Sequence, residues 1–239
     1  FFYLGDTAWE LFHRLSRGEA EFYLSTRAAQ GFNVIQAVAL AEIDGLREPN
    51  AYGRLPLKER DGQYDPTAPD VGDGYDYWKH VDFVVDTAAE KGLFVGILPT
   101  WGDYFNSEWA KKDPAIFTPE NARVYGEWIA ARYADRWNII WILGGDRPLQ
   151  TQTHKDVIRA MGEGIRSADP NHLITFHPMG PLSSVDFVSG QEYIDFHTVQ
   201  SGHDIDGYDS WQVLRRTAQA EAKPFLDSEP RYEDHPVCF

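Results

Sequence analysis

Short apolar runs recur along this chain, and stretches of helical period separate most of them. Residues 33–40 (NVIQAVAL), 93–98 (LFVGIL), 138–143 (NIIWIL), 172–176 (HLITF), 194–199 (IDFHTV) and 225–228 (FLDS) are brief and mostly apolar, several of them rich in β-branched side chains, which predicts buried strands. Residues 2–9 predict another short strand, ending in a polar turn. Helices are predicted over 16–30, 75–91, 118–133, 153–167 and 208–221. Ser16, with Glu19 three residues on, is a capping-box pattern, and Gly31 closes that helix. Thr118-Pro119-Glu120 supplies an N-cap and a proline in the first turn. Tyr77, Val81, Val84, Val85 and Ala88 make one apolar stripe. Residues 41–74 lack helical period and predict a long loop, and the connection after residue 176 leaves little room for a full helix.

Strands that mostly alternate with helices imply βα units and a parallel sheet. Runs that are apolar on both faces fit a sheet covered on both sides. Chemistry-bearing residues gather just past the strands: Asp6, Trp101, Asp146, His177, Gln200 and Glu229, with Gln36 nearby. One face collecting polar groups is the habit of a TIM barrel. An open doubly wound sheet also binds ligands there, but it would usually carry a glycine-rich turn after its first strand, and this chain has none. The expected fold class is therefore α/β, a (β/α)8 barrel whose eighth strand is missing from this chain. Residues 1–239 read as a single catalytic barrel domain, truncated at its C-terminus.

Length suits this picture, since 239 residues are normal for one α/β barrel. A net charge of −15 repels phosphate backbones, so no nucleic-acid partner is expected. No apolar run approaches the ~20 residues of a membrane helix, so no membrane partner is expected either. The single cysteine, Cys238, excludes an internal disulfide and a cysteine-based zinc site. Aromatic residues are 14% of the chain, including 8 Trp, enough both to fill barrel layers and to stack on sugar faces. Oligomeric state is left open.

Two of the strand ends share a design. Gly144-Gly145-Asp146-Arg147-Pro148 and Asp227-Ser228-Glu229-Pro230 each bring a carboxylate out of an apolar run and follow it with proline. Glycosidic bond hydrolysis uses such a pair: one acid protonates the leaving oxygen, and the other attacks the anomeric carbon or activates water. Each carboxylate alone could equally be a helix cap or an ion-pair partner; two at homologous positions favour function. Asp227 shares the pleat parity of Glu229 and could hold a neighbouring group, more readily as a structural partner of a buried Arg or His. Arg147 could pair with a carboxylate at the mouth. His177, His197 and His203 could join the acids in a metal site, but no His-x-His on the first strand and no His-Glu-x-x-His helix supports one. Holding sugar hydroxyls or orienting Glu229 suits them better, and no metal or other cofactor is expected. Trp9, Trp101, Trp109 and Tyr232 are candidate sugar platforms, whereas Trp141 lies inside a strand and reads as core. Asp70 to Asp76 superficially resembles a calcium loop but lacks its bidentate Glu. There is no Gly-x-Ser-x-Gly elbow.

Four stretches together resemble the apiosidase-like glycoside hydrolases, the DUF4038 barrels that include glycoside hydrolase family 140. They are Leu4-Gly5-Asp6-Thr7-Ala8-Trp9, Asn33-Val34-Ile35-Gln36, Trp141 to Arg147, and Asp227-Ser228-Glu229-Pro230 with Tyr232-Glu233. The resemblance implies a (β/α)8 barrel and retaining hydrolysis, with Asp146 as general acid/base and Glu229 as nucleophile. From their places near the strand ends, Asp6, Trp9, Gln36, Trp101, Arg147, His177, Gln200, His203 and Tyr232 are the residues expected to bind a carbohydrate substrate. A bacterial, polysaccharide-degrading role outside the cytoplasm follows from the same likeness, with apiose-bearing pectin side chains as the best-known substrate. Barrel hydrolases of the wider retaining group usually end the fourth strand Asn-Glu-Pro. Here the acid is one carbon shorter. Fold membership does not set the sugar. A non-catalytic carbohydrate- or protein-binding barrel is the alternative.

Overall fold

The computed structural model describes residues 1–110, 115–202 and 210–232, less the side chains of 109 and 110. In chain order the elements are β1 (Gly5–Thr7), α1 (Leu11–Arg14), α2 (Arg17–Ala29), β2 (Val34–Val38), β3 (Leu57–Arg60), β4 (Gln63–Pro69), α3 (Tyr77–Glu90) and β5 (Phe94–Leu98). A 3₁₀ turn (Gly102–Tyr104) leads on to α4 (Ser107–Ala110), α5 (Pro119–Tyr133), β6 (Ile139–Gly144), α6 (Gln152–Ala168), β7 (Leu173–His177), α7 (Val185–Val188), β8 (His197–Val199), α8 (Ser210–Ala220) and β9 (Phe225–Asp227).

Strands β1, β2, β5, β6 and β7 form one parallel sheet in that order, and β8 pairs with β9, also parallel. Side chains splice the two sheets. The Asp195 carboxylate accepts from Ile174 N at 2.7 Å, and Thr175 Oγ1 donates to Phe196 O at 2.7 Å. The sheet curls enough for Gln36 Nε2 on β2 to donate to Ser228 O, just past β9, at 2.9 Å. The architecture is thus the expected α/β class, a partial barrel of seven parallel strands; no eighth occurs among the described residues. β8 is shorter than the 194–199 run predicts. Asp195 spends its side chain on the neighbouring backbone, where a ladder bond would otherwise form.

Local chemistry sets the boundaries. Ser16 and Glu19 cap α2 reciprocally, and Gly31 follows in a left-handed conformation, φ 92°. Thr118 caps α5, but its reciprocal partner is Asn121. Asp76, in the acidic stretch 70–76, is the N-cap of α3, accepting from Lys79 N, while Lys79 Nζ donates to Gly72 O and Gly74 O. The stretch is therefore tied up as a helix start.

Residues 41–74 are not a structureless loop. β3 and β4 form an antiparallel hairpin whose two-residue turn is Asp61-Gly62, both left-handed (φ 51° and 78°). Asp-Gly suits such a turn because both positions need positive φ, and its twist matches that of the strands.

The core runs between the sheet and helices α3, α5 and α6, with Trp78, Trp141, Tyr125 and Phe176 fully buried. Trp141 is core, as its place inside a strand predicts. Its Nε1 donates to Asp169 at 2.8 Å, and Asp169 also lies against His172 Nδ1 at 2.6 Å. Burial pushes the Asp169 carboxyl up, but the hydrogen bonds from His172 and Trp141 outweigh it and hold the group below its ordinary value.

Asp169→Ala strands the buried Trp141 N–H and should cost about 1–3 kcal/mol at neutral pH. Because the folded-state pKa is depressed, this stabilisation exists above the unfolded value of ~3.9 and fades as pH falls through the folded one. Thermal unfolding of the two proteins at pH 7 and pH 3 should show a gap that narrows in acid.

Candidate active site

β6 ends in consecutive left-handed residues: Gly144 (φ 94°), Gly145 (115°) and Asp146 (55°). A Cβ on Gly144 would come within 2.4 Å of His177 O, and one on Gly145 within 2.7 Å of Gly102 N, so backbone crowding as well as φ demands glycine at both. Asp146 adopts left-handed φ while bearing a side chain, a strain on the order of 1 kcal/mol. Asp tolerates this better than most residues. The twist turns the carboxyl out of the strand at the mouth.

Arg147 secures it. Its Nη1 donates to the Asp146 carbonyl at 2.7 Å and to the Asp146 carboxylate at 3.0 Å. Its Nε donates to Asp103, which is buried in the 3₁₀ turn after β5. Burial raises the proton affinity of Asp146; His177 lowers it, Glu229 raises it, and Arg147 and the Gln200 amide lower it. The net displacement is upward.

Glu229 follows β9 and is 3% exposed. The Tyr232 hydroxyl donates to its Oε1, and Trp9 Nε1 donates to the Tyr232 hydroxyl at 3.0 Å. His177 Nε2, at the end of β7, lies 2.8 Å from Glu229 Oε2. The two atoms are within ion-pair distance, although the approach is not aligned as a hydrogen bond. The rings of Trp9, Trp101 and His177 cluster, with centroids 5.4–6.2 Å apart. Trp101 Nε1, Gln36 Oε1 and Gln200 Oε1 are buried here without a hydrogen-bond partner among the described residues.

Trp9, Gln36, Trp101, Asp146, Arg147, His177, Gln200, Glu229 and Tyr232 thus converge at the C-terminal ends of the strands. Asp6 does not, and the sequence-based expectation for it is corrected. Its carboxylate faces α2, where it accepts from Tyr23 and pairs with Arg27, because alternate residues of β1 point to opposite sides of the sheet. Tyr232 occupies a different role from a stacking platform: its hydroxyl is bound between Trp9 and Glu229. Asp227 accepts from Ser201 N at 3.2 Å, a backbone partner and not the Arg or His expected. His197 is buried between Ser184 and Glu221, away from the acids. His203 and the Trp109 side chain lie outside the described residues. No group of three metal-ligating side chains occurs among the described residues.

Two carboxylates escaped sequence reasoning. Asp103 comes two residues after Trp101, in the turn that follows β5, and only its contact with Arg147 marks it out. Glu42, two residues past the apolar run of β2, has its pKa pushed up to about 7, chiefly by burial. Arg147 opposes that shift, while Asp103, Asp146 and Glu10 add to it.

A partial (β/α) barrel with two electrostatically interacting carboxylates past the C-terminal ends of its strands is the architecture of a class, the barrel glycoside hydrolases. Residues 1–239 match the family described as apiosidase-like, catalytic domain, and the chain belongs to that family. Among solved structures, a glycoside hydrolase family 5 protein from Bacteroides vulgatus is similar at 32% identity and a TM-score of 0.83, over 99% of this chain and 51% of that one. A second, described as a glycoside hydrolase, shares 34% identity with a TM-score of 0.80, over 99% and 54%. The chain therefore spans about half the length of these relatives. An endo-1,4-beta-D-mannanase from Thermotoga petrophila, 17% identical with a TM-score of 0.69 over 100% of this chain and 82% of its own, shares the fold. No curated protein matches the chain.

Gly145→Ala should displace the Gly102 backbone or untwist the turn beneath Asp146. Turnover of an activated glycoside is expected to fall at least tenfold while the far-ultraviolet circular dichroism spectrum stays unchanged; undiminished turnover would show that the turn does not set the acid.

Proposed function

We propose that this barrel is a retaining glycoside hydrolase that removes sugar units from polysaccharide side chains by double displacement. The observation that carries the reading is a pair of interacting acids with unequal surroundings. Asp146 is half-buried, with its proton affinity raised, while Glu229 lies against two groups suited to a carboxylate, the Tyr232 hydroxyl and His177. Paired acids in unequal surroundings are the arrangement in which one can serve as proton donor and the other as nucleophile.

In the first step Glu229 attacks the anomeric carbon as the bond to the leaving oxygen breaks, and Asp146 gives that oxygen its proton. In the second, Asp146 takes a proton from water, and the resulting hydroxide equivalent attacks the anomeric carbon, breaking the ester to Glu229. Two inversions at one carbon return the starting configuration. Sugar hydroxyls both donate and accept, so they complement Gln36 Oε1 and Gln200 Oε1 as acceptors and Trp101 Nε1 as donor. The Trp9 and Trp101 rings supply an apolar wall. The family likeness favours apiose-bearing pectic side chains among the possible substrates.

Glu229→Gln should abolish turnover of an aryl glycoside without changing thermal stability by more than a few degrees. Wild-type rates in that variant would sink the assignment. Asp146→Ala should slow substrates with poor leaving groups far more than dinitrophenyl glycosides. It should also erase the fall in kcat/KM on the alkaline side, where the wild-type acid loses its proton.

A further inference from the structure

The Asp103–Arg147 pair is not part of the two-acid scheme, yet it touches one of the two acids. Arg147 spans them: Nε reaches Asp103, and Nη1 reaches both the carbonyl and the carboxylate of Asp146. An arginine placed so is an awkward neighbour for a general acid. A guanidinium within ~4–6 Å favours the ionised carboxylate, which cannot donate a proton. Asp103 changes that balance twice over. It neutralises much of the guanidinium's charge, and it fixes the guanidinium's direction from a buried position, so Arg147 holds Asp146 at the edge of its fork and not squarely across it.

We propose that Asp103 is a positioning residue of the reaction, which acts through Arg147 to keep the Asp146 carboxyl both aimed at the leaving oxygen and able to carry a proton. This inference rests on the role given to Asp146 above. The other charged or titratable groups that face Asp146 are His177 from β7, Glu229 from beyond β9 and Glu42 from beyond β2, with the Gln200 amide from beyond β8. Asp103 is distinguished from them by its direct ion pair with Arg147. Glu42 lies in the same field, with its pKa pushed up to about 7 chiefly by burial, so near neutral pH it is only partly ionised and is a weaker counter-charge to Arg147 than Asp103, which bonds to it directly.

The pair makes a prediction of sign that a merely structural role does not. Asp103→Asn leaves the guanidinium's charge wholly on Asp146. The alkaline limb of kcat/KM should then move down by about one pH unit or more, with little change in KM, and activity should return as pH is lowered. Poor leaving groups should suffer most. Arg147→Gln removes the charge instead, so the limb should move up. The same shifts should appear, without any turnover, in the titration of the Asp146 carboxyl carbon followed by ¹³C nuclear magnetic resonance in aspartate-labelled protein. Opposite displacements in the two variants support the proposal. Displacements of the same sign, or an unmoved Asp146 titration in Asp103→Asn, overturn it. A protein inactive on every glycoside but showing the opposite titration shifts would leave the pair's effect standing and refute only the hydrolase reading. Should Asp103→Asn fail to fold, Asp103→Glu, which keeps the charge on a longer arm, must leave the titration near its wild-type position.

Discussion

Repulsion between two carboxylates in one buried cleft is the constraint around which this molecule is arranged. Asp146 and Glu229 are close enough for the charge of one to raise the proton affinity of the other. Two such groups cannot both ionise freely, and their surroundings decide which does. Glu229 is given a hydroxyl donor and an imidazole. Asp146 is given burial and an arginine whose charge is shared with Asp103. The asymmetry has a cost elsewhere. It needs a left-handed aspartate, two glycines pressed against backbone, and an acid held inside the 3₁₀ turn.

The second requirement is to hold Glu229 still where ladder hydrogen bonding is thin. β9 has only three residues and, among the described residues, pairs with β8 alone, and β8 reaches β7 through side chains and single backbone bonds. Across the barrel mouth side chains do what strands do elsewhere. Trp9 binds Tyr232, Tyr232 binds Glu229, and Gln36 binds the carbonyl of the residue before it. The Trp9–Tyr232 and Gln36–Ser228 bonds join chain segments 223 and 192 residues apart, so the place of Glu229 depends on the sheet having curled round. A site assembled this way excludes water from most of its polar atoms, which strengthens each electrostatic contact in it.

Much of this was legible in the sequence. Short runs located all seven barrel strands; β2, β5, β6, β7 and β8 announced themselves without alternation because they are buried on both faces, whereas β1 and β9 are only partly buried. Capping chemistry at Ser16, Thr118 and Gly31 placed helix ends for local reasons that tertiary packing did not override. Other features were hidden for physical reasons. The hairpin at Asp61-Gly62 carried its turn signal openly, but its strands are short, polar and largely exposed, so no hydrophobic pattern accompanied it. Asp6 sits in a motif-like run, yet its direction depends on β1 pleating, which three residues of strand do not reveal. Asp103 and Glu42 matter through space alone. Their partner Arg147 lies 44 residues beyond Asp103, and nothing in the local sequence of either acid marks the contact. Charge placement on loops is set by the assembled barrel, and a one-dimensional pattern carries no record of it.

Double displacement requires a covalent bond between the sugar and Glu229, and that bond can be trapped. The direct measurement is mass spectrometry of the protein after reaction with a 2-deoxy-2-fluoro glycosyl fluoride of the sugar it turns over, followed by peptide mapping. The fluorine slows both steps while the good leaving group preserves the first, so the ester accumulates. One glycosyl unit on the peptide containing Glu229, lost again on incubation with an acceptor, is the predicted result. An unlabelled protein that still hydrolyses the parent glycoside, or a label carried by Asp146, would contradict it.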